Sequence, residues 1–377
     1  MKIACIKEKK EYENRVAITP SGAEKLIQMG FDVEIEKGAG ESASFPDALY
    51  VDKGVKVAQT AKAALDGANL VLTVASPEKE ELKNFPKDAV FIGVLSPYTQ
   101  KDLLEEYANL GLSAFSLELL PRITRAQSMD VLSSQSNLAG YRAVLETAFE
   151  FSRGFPMMMT AAGTIPPAKV LILGAGVAGL QAIATAKRLG AVVSAFDVRV
   201  AAKEQVESLG ATFIAVPLEE AGDSSSGYAK EMSEDYKRKQ SELIAETIKK
   251  MDIVITTALI PGKQAPILIT KEMAAFMKPG SIILDLAVEM GGNVQGSEIG
   301  KTVNINGVKI IGKPNLPSSI AQDASTLYGK NLITFLASIY DKEAQKFKID
   351  LQDEIIKATL LTHEGKIIHP NFTGEKA

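Results

Sequence analysis

Six residues, Gly174-Ala175-Gly176-Val177-Ala178-Gly179, follow the β-rich run KVLIL and open a helix-periodic stretch. In such a G-x-G-x-x-G turn the first glycine permits the tight bend and the second lets backbone approach a pyrophosphate. The third lets helix and strand pack closely. Phosphate oxygens at this place meet the unpaired amides and the positive end of a helix. Asp197 closes the next β-rich run, 23 residues after Gly174. A carboxylate there can accept both hydroxyls of an adenosine ribose and repels a 2′-phosphate, which favours NAD over NADP. Arg199 points the other way, because an arginine just past this strand can pair with a 2′-phosphate. With the acid retained, the expectation stays with NAD, and Asp197, Val198 and Arg199 are taken together as the ribose edge. Val177 either packs on the cofactor or is structural.

A second group of chemically able side chains precedes this turn. Arg122, Arg125, Gln127, Asp130 and Ser133 fall within twelve residues. A nicotinamide carboxamide presents one donor group and one acceptor, which Gln, Asp, Ser and Arg can satisfy together. The same residues also suit a solvated loop whose Arg–Asp pairs cap the following helix. The residues alone leave both readings open.

What is scarce also bounds the chemistry. The two histidines, His363 and His369, lie in the last fifteen residues, so the body of the chain has no imidazole to shuttle protons or bind zinc. No metal site is expected. Cys5 is the single cysteine and can form no internal disulfide. With 42 Lys and Arg against 46 Asp and Glu, the net charge of -4 offers no basic field for nucleic acid. The nearest candidate for a membrane span, Met157 to Gly174, is interrupted by Pro166, Pro167 and Lys169. These features predict a cytoplasmic protein that works at a membrane only through a partner.

The elements that must position these residues alternate. KIACI, a helix opened by Thr19-Pro20, and FDVEIEKG follow one another as βα units do. Leu70 to Val74, Ala89 to Leu95 and Leu112 to Leu117 read as buried strands, with a helix from Gln100 to Leu110 stopped by Gly111. A long helix from about Ser134 to Phe151 is expected to connect two domains, with the interdomain crevice beside it. Further strands are expected at Thr212 to Val216, Asp252 to Ala258 and Ser281 to Val288. The polar stretch Pro217 to Gln240 reads as a lid or a disordered loop. Ile320 to Tyr340 reads as a helix, and LLTHEGKIIHP as a hairpin turning at Glu364-Gly365. The fold class is α/β, with two Rossmann-like doubly wound parallel-sheet domains and a deep crevice between them.

RAQSMDVLSSQSNLAGYRAV, FPMMMTAAGTIPPAKVLILGAGVAGLQAIATAKRLGAVV, GYAKEM and DIVITTALIPGKQAP closely resemble the NAD(H)-binding component of proton-translocating NAD(P) transhydrogenases. The similarity runs from RVAITP at Arg15 to the terminal HEGKIIHP. It implies that Arg122, Gln127 and Asp130 contact the nicotinamide end of NAD(H), with Ser133 nearby, and so favours the first reading of that loop. It implies a mobile lid over about 217–240 whose Tyr228 folds over the nucleotide, with Gly227 and Gln240 close by and Leu259 lining the same pocket. The implied domains are 1–128 completed by 325–377, and 129–324. The implied partners are a second copy of the chain, an NADP(H)-binding component and a membrane component that translocates protons.

Alanine dehydrogenases share this fold and much of this sequence. Arg15 matches the position that binds the amino-acid carboxylate in those enzymes. Three other positions depart from them: Ala75 stands where they carry a substrate-binding lysine, Ser96 replaces a catalytic histidine, and Glu289 occupies the place of a catalytic aspartate. Oxidising an amino acid removes an N–H proton along with a hydride, so these departures argue for hydride exchange between two nicotinamides instead.

Overall fold

The strand Leu70–Ala75, LVLTVA, is buried at every position, as a strand covered on both faces must be. A computed structural model describes residues 1–216, 233–260 and 262–373 of the chain. They divide into two units, Met1–Gln135 with Ser318–Ala377, and Ser136–Pro317. The division falls inside one helix, Val131–Glu150.

The first unit is built on an eight-stranded sheet. From one edge the strands run Lys366–Ile367, Leu360–His363, Ser113–Ser116, Val90–Val94, Leu70–Ala75, Lys2–Cys5, Asp32–Glu36 and Lys56–Ala58. All neighbours from Ser113–Ser116 onward are parallel, and the two strands from the C-terminal segment add antiparallel to that edge. Their hairpin turns through Glu364 and Gly365, both at positive φ, as expected from the sequence. The helix Pro20–Gln28 starts where Thr19-Pro20 predicts: the Thr19 hydroxyl accepts from the Gly22 amide. Helix Ala321–Ile339 buries Tyr328, Leu332, Phe335 and Leu336, and Phe335 meets Phe115 edge-on at 5.3 Å between ring centres.

In the second unit seven strands run Thr212–Ile214, Val192–Phe196, Lys169–Leu173, Ile253–Thr256, Ile282–Asp285, Val308–Ile311 and Thr302–Ile305. Only the last pairs antiparallel. The chain winds outward one way from Lys169–Leu173 and then the other way from Ile253–Thr256. The carboxyl ends of these two strands are therefore the topological switch point, where open α/β sheets bind ligands. The fold is the two-unit, parallel-dominated α/β architecture expected from the alternation.

One expectation changes. The stretch read as a polar lid to Gln240 is helical from Glu234 onward, in Glu234–Ile248. Ser233 caps it by accepting from the Tyr236 amide, acids fill its first turn, and Arg238 pairs with both Asp235 and Glu242. Polar content there reflects a charge-laced exposed face, with Tyr236 and Ile244 as the buried side. Residues 217–232 lie outside those described, and so do the expected lid residues Gly227 and Tyr228. The segment FPMMMTAAGTIPP, for which the sequence suggests no element, forms a two-stranded hairpin, Met158–Thr160 with Gly163–Ile165, exposed along both strands. Among the described residues, no helix is long and apolar enough to cross a membrane.

Candidate functional site

The glycine turn sits at the switch point of the second unit. Gly174 follows strand Lys169–Leu173 at φ +103°, a conformation that suits glycine. A side chain on Gly179 would place its Cβ 1.8 Å from the Gly174 carbonyl, so helix and strand can approach this closely only without one. Gly176 differs from both. Its φ of -76° is ordinary, and a Cβ built on it meets nothing within 4 Å. Neither backbone geometry nor packing asks for glycine there, whereas backbone approach by a ligand does. Helix Val177–Arg188 opens at this residue with no side chain capping it, although six other described helices carry a Thr, Ser or Asp cap. Its first amides therefore face the same open space.

Asp197, nearly buried, reaches back to the turn. Its Oδ2 accepts from the Ala175 amide at 2.7 Å and from Arg199 Nη2 at 2.9 Å. Its Oδ1 accepts from the Arg199 amide at 2.8 Å and from Arg199 Nε at 2.9 Å. Acid and arginine are thus bound to each other, which bears on the opposing cofactor arguments they carry. Val177 is 41% exposed and Leu259 46%, so neither belongs to the core. Val198 is partly buried against the cluster around Leu171 and Phe196, and Gln240 is partly buried on helix Glu234–Ile248. Gly174, Gly176, Val177, Asp197, Val198 and Arg199 lie at the carboxyl edge of this sheet, with Gly179 buried behind the turn.

Arg122, Gln127, Asp130 and Ser133 belong to the loop of the first unit. Thr124–Met129 is a short 3-10 helix, and Asp130 ends it and caps the long helix that follows. Its Oδ1 accepts from the Ser133 amide at 2.9 Å and its Oδ2 from the Ser133 hydroxyl at 2.5 Å. The loop is tied down by Asn331, which donates to the Ser128 carbonyl at 2.8 Å and accepts from Ser134 at 2.7 Å. Arg125 makes a two-pronged pair with Asp353 at 2.8 and 2.9 Å, and Asp353 itself caps helix Glu354–Thr359. The acid that Arg125 joins thus caps a different helix from the one the loop enters. Arg122 and Gln127 keep exposed side chains on this anchored backbone.

Both halves of the chain match family models. Residues 4–139 match the alanine dehydrogenase/PNT N-terminal domain and residues 143–370 the alanine dehydrogenase/PNT C-terminal domain. An NAD(P) transhydrogenase subunit alpha polypeptide of Rhodospirillum rubrum is 52% identical over the whole of both chains. A transhydrogenase structure from Sinorhizobium meliloti superposes with a TM-score of 0.86 at 48% identity, covering 98% of this chain and all of the other. The chain belongs to the alanine dehydrogenase/PNT family, in its transhydrogenase alpha-subunit branch. An L-alanine dehydrogenase structure is also similar, at a TM-score of 0.82 and 28% identity over 99% of this chain and 98% of that one.

The four positions compared above with alanine dehydrogenases, Arg15, Ala75, Ser96 and Glu289, are each held in place. Arg15 is held by Glu13 through a two-pronged pair at 2.8 and 2.6 Å and donates to Gln135 at 2.8 Å. Ala75 ends a strand whose last two amides, Val74 and Ala75, donate to the Glu8 carboxyl at 2.6 and 3.2 Å. Burial pushes that carboxyl up to about 8. Ser96 sits at φ +51° and its carbonyl accepts from the Thr99 and Gln100 amides. Glu289 accepts from the Asn315 amide at 2.9 Å, so its carboxylate serves a loop. Among the described residues no group of three or more His, Cys, Asp and Glu could hold a metal ion. His363 bonds Ser113 Oγ, and burial depresses His369, whose ring accepts from the Asn371 amide and bonds the Ala358 carbonyl; both are parts of the C-terminal segment. Sequence reasoning missed Gly140, Thr257, Asp285 and Asn293 in the second unit. None has a motif of its own, though Gly291-Gly292 before Asn293 marks a turn.

Proposed function

We propose that this chain is the NAD(H)-binding component of a proton-translocating transhydrogenase and exchanges a hydride directly with NADP(H) held by another subunit. The observation that carries the nucleotide reading is Gly176, a glycine that backbone and packing do not require, facing open space at an uncapped helix end. Gly176 and Val177 would hold the pyrophosphate through backbone amides, and Asp197 with Val198 and Arg199 the adenosine ribose. Arg122, Gln127, Asp130 and Ser133 would orient the carboxamide. Bound NAD(H) supplies a carbon that gives or takes hydride. The chain's task is then alignment and exclusion of water, since hydride exchange between two such rings moves no proton at the reacting carbons. That Ala75, Ser96 and Glu289 stand where the dehydrogenases carry a lysine, a histidine and an aspartate supports this reading over oxidation of an amino acid.

The membrane component, the proton coupling and a place on the cytoplasmic face of the membrane come with this reading, as does a homodimer. Proton passage in the membrane component would gate how closely the two rings approach.

The test mixes the purified chain with an NADP(H)-binding transhydrogenase component and follows reduction of an NAD analogue by NADPH. Fast transfer that needs both proteins is expected. No transfer despite tight NADH binding overturns the proposal, and alanine-dependent NAD reduction by the chain alone replaces it with a dehydrogenase.

A further inference from the structure

Asp285 ends strand Ile282–Asp285 and is wholly buried. Its carboxylate accepts from Thr256 Oγ1 at 3.1 Å and from the amides of Ala287, Asn293 and Val294 at 3.0, 3.1 and 3.2 Å. Those bonds set the place of Asn293, which is also wholly buried. The Asn293 side chain then uses every group it has. Its Oδ1 accepts from the Ala258 amide at 3.0 Å, and its Nδ2 donates to the carbonyls of Ala258 at 2.9 Å and Pro266 at 2.8 Å. Both backbone groups of Ala258 are thereby paired, as a neighbouring strand would pair them, two residues beyond where strand Ile253–Thr256 ends.

The residue before is held from the opposite side. The Thr257 amide donates to the Leu173 carbonyl at 2.8 Å, and its hydroxyl donates to the Gly174 carbonyl at 2.9 Å. Thr257-Ala258 is therefore strung between the glycine turn and the Asp285–Asn293 pair, and it delivers Leu259 to the surface.

Strand order says which part of a dinucleotide meets this segment. Asp197 follows Val192–Phe196, the glycine turn follows Lys169–Leu173, and Thr257–Leu259 follows Ile253–Thr256, and these three strands are adjacent in that order. With adenosine ribose on Asp197 and pyrophosphate at the turn, the third portion, nicotinamide with its ribose, comes to Thr257–Leu259. We infer that Asn293 is a positioning residue for the nicotinamide end, holding the Ala258–Leu259 backbone against which that end rests. This inference rests on the NAD(H) reading above.

The test compares NADH with ADP-ribose, which has the adenosine and pyrophosphate portions but no nicotinamide. Binding of each to the full chain and to Asn293→Ala is measured by calorimetry. NADH is expected to weaken about tenfold, the scale of one or two lost positioning hydrogen bonds, with ADP-ribose held within about twofold. Equal weakening of both ligands makes Asn293 merely structural and overturns the inference, as does no change in either. If the unsubstituted chain binds ADP-ribose and NADH with the same affinity, the nicotinamide end is not held and the inference alone fails. If it binds neither, the nucleotide reading fails and takes the inference with it. Hydrogen exchange on the unsubstituted chain is a check that needs no variant. The Ala258 amide is expected to exchange at least about a hundredfold slower than an open loop amide, and free exchange there overturns the clamp.

Discussion

The Asp197 carboxylate accepts four N–H groups, one from Ala175 and three from Arg199, which fills the roughly four lone-pair sites a carboxylate has. A ribose diol that binds there must displace some of them, and the guanidinium bonds are those a side-chain rotation can give up. Asp197→Asn keeps the shape and one acceptor for the Ala175 amide while removing the charge that repels a 2′-phosphate. NADH binding is expected to weaken about tenfold. The preference for NADH over NADPH should shrink by a similar factor, because the charge that opposes a 2′-phosphate is gone. Titrating both nucleotides by their fluorescence measures this. An unchanged ratio moves ribose recognition away from Asp197.

The helix carrying the nucleotide turn depends on another helix for its position. Gly140, midway along Val131–Glu150, lies where an added Cβ would come 2.0 Å from the Ala178 carbonyl, in the first turn of helix Val177–Arg188. Backbone therefore packs on backbone, with Ala139, Ala143 and Val144 filling the sides of the contact. Gly140→Ala forces the two helices apart in a close-packed core, an overpacking change that costs about 1–3 kcal/mol. Because Ala178 follows directly on the turn, NADH affinity should fall together with stability. Urea unfolding and NADH titration of the same variant check the pair of effects. A variant of full stability would show that the contact yields freely.

On the scale of the whole molecule, the second unit exposes an apolar surface that its own core leaves uncovered. Met157 is 59% exposed, Met159 78% and Phe149 85%, and both strands of the hairpin Met158–Thr160 with Gly163–Ile165 are exposed throughout. A two-stranded ribbon is marginal in water unless something packs on it, and apolar patches of this kind mark interfaces. In the proposed homodimer a second copy of the chain covers it. Sedimentation equilibrium is expected to give a dimer at micromolar concentration, and Met159→Lys to shift it toward monomer with NADH binding retained. A monomer for the unsubstituted chain rejects the homodimer.

Local pattern alone determined much of this protein. The apolar runs at Leu70 and Lys169, the Thr19-Pro20 helix start and the Glu364-Gly365 turn each follow from contacts within a few residues, and each stands where the sequence put it. The glycine turn was legible for the same reason, since strand, bend and helix start are consecutive. A long polar run misled at 233–240, where capping and i to i+4 pairing make a helix that apolar periodicity barely marks. Tertiary structure decided the rest. That the Asp197 oxygens are already occupied, that Asn293 reaches Ala258 across 35 residues and that Gly140 must admit the Ala178 carbonyl depend on which distant backbone groups the two-way winding of the sheet brings together. Spacing along a chain records local geometry. A buried amide or a missing Cβ takes its meaning from neighbours that only the folded chain supplies.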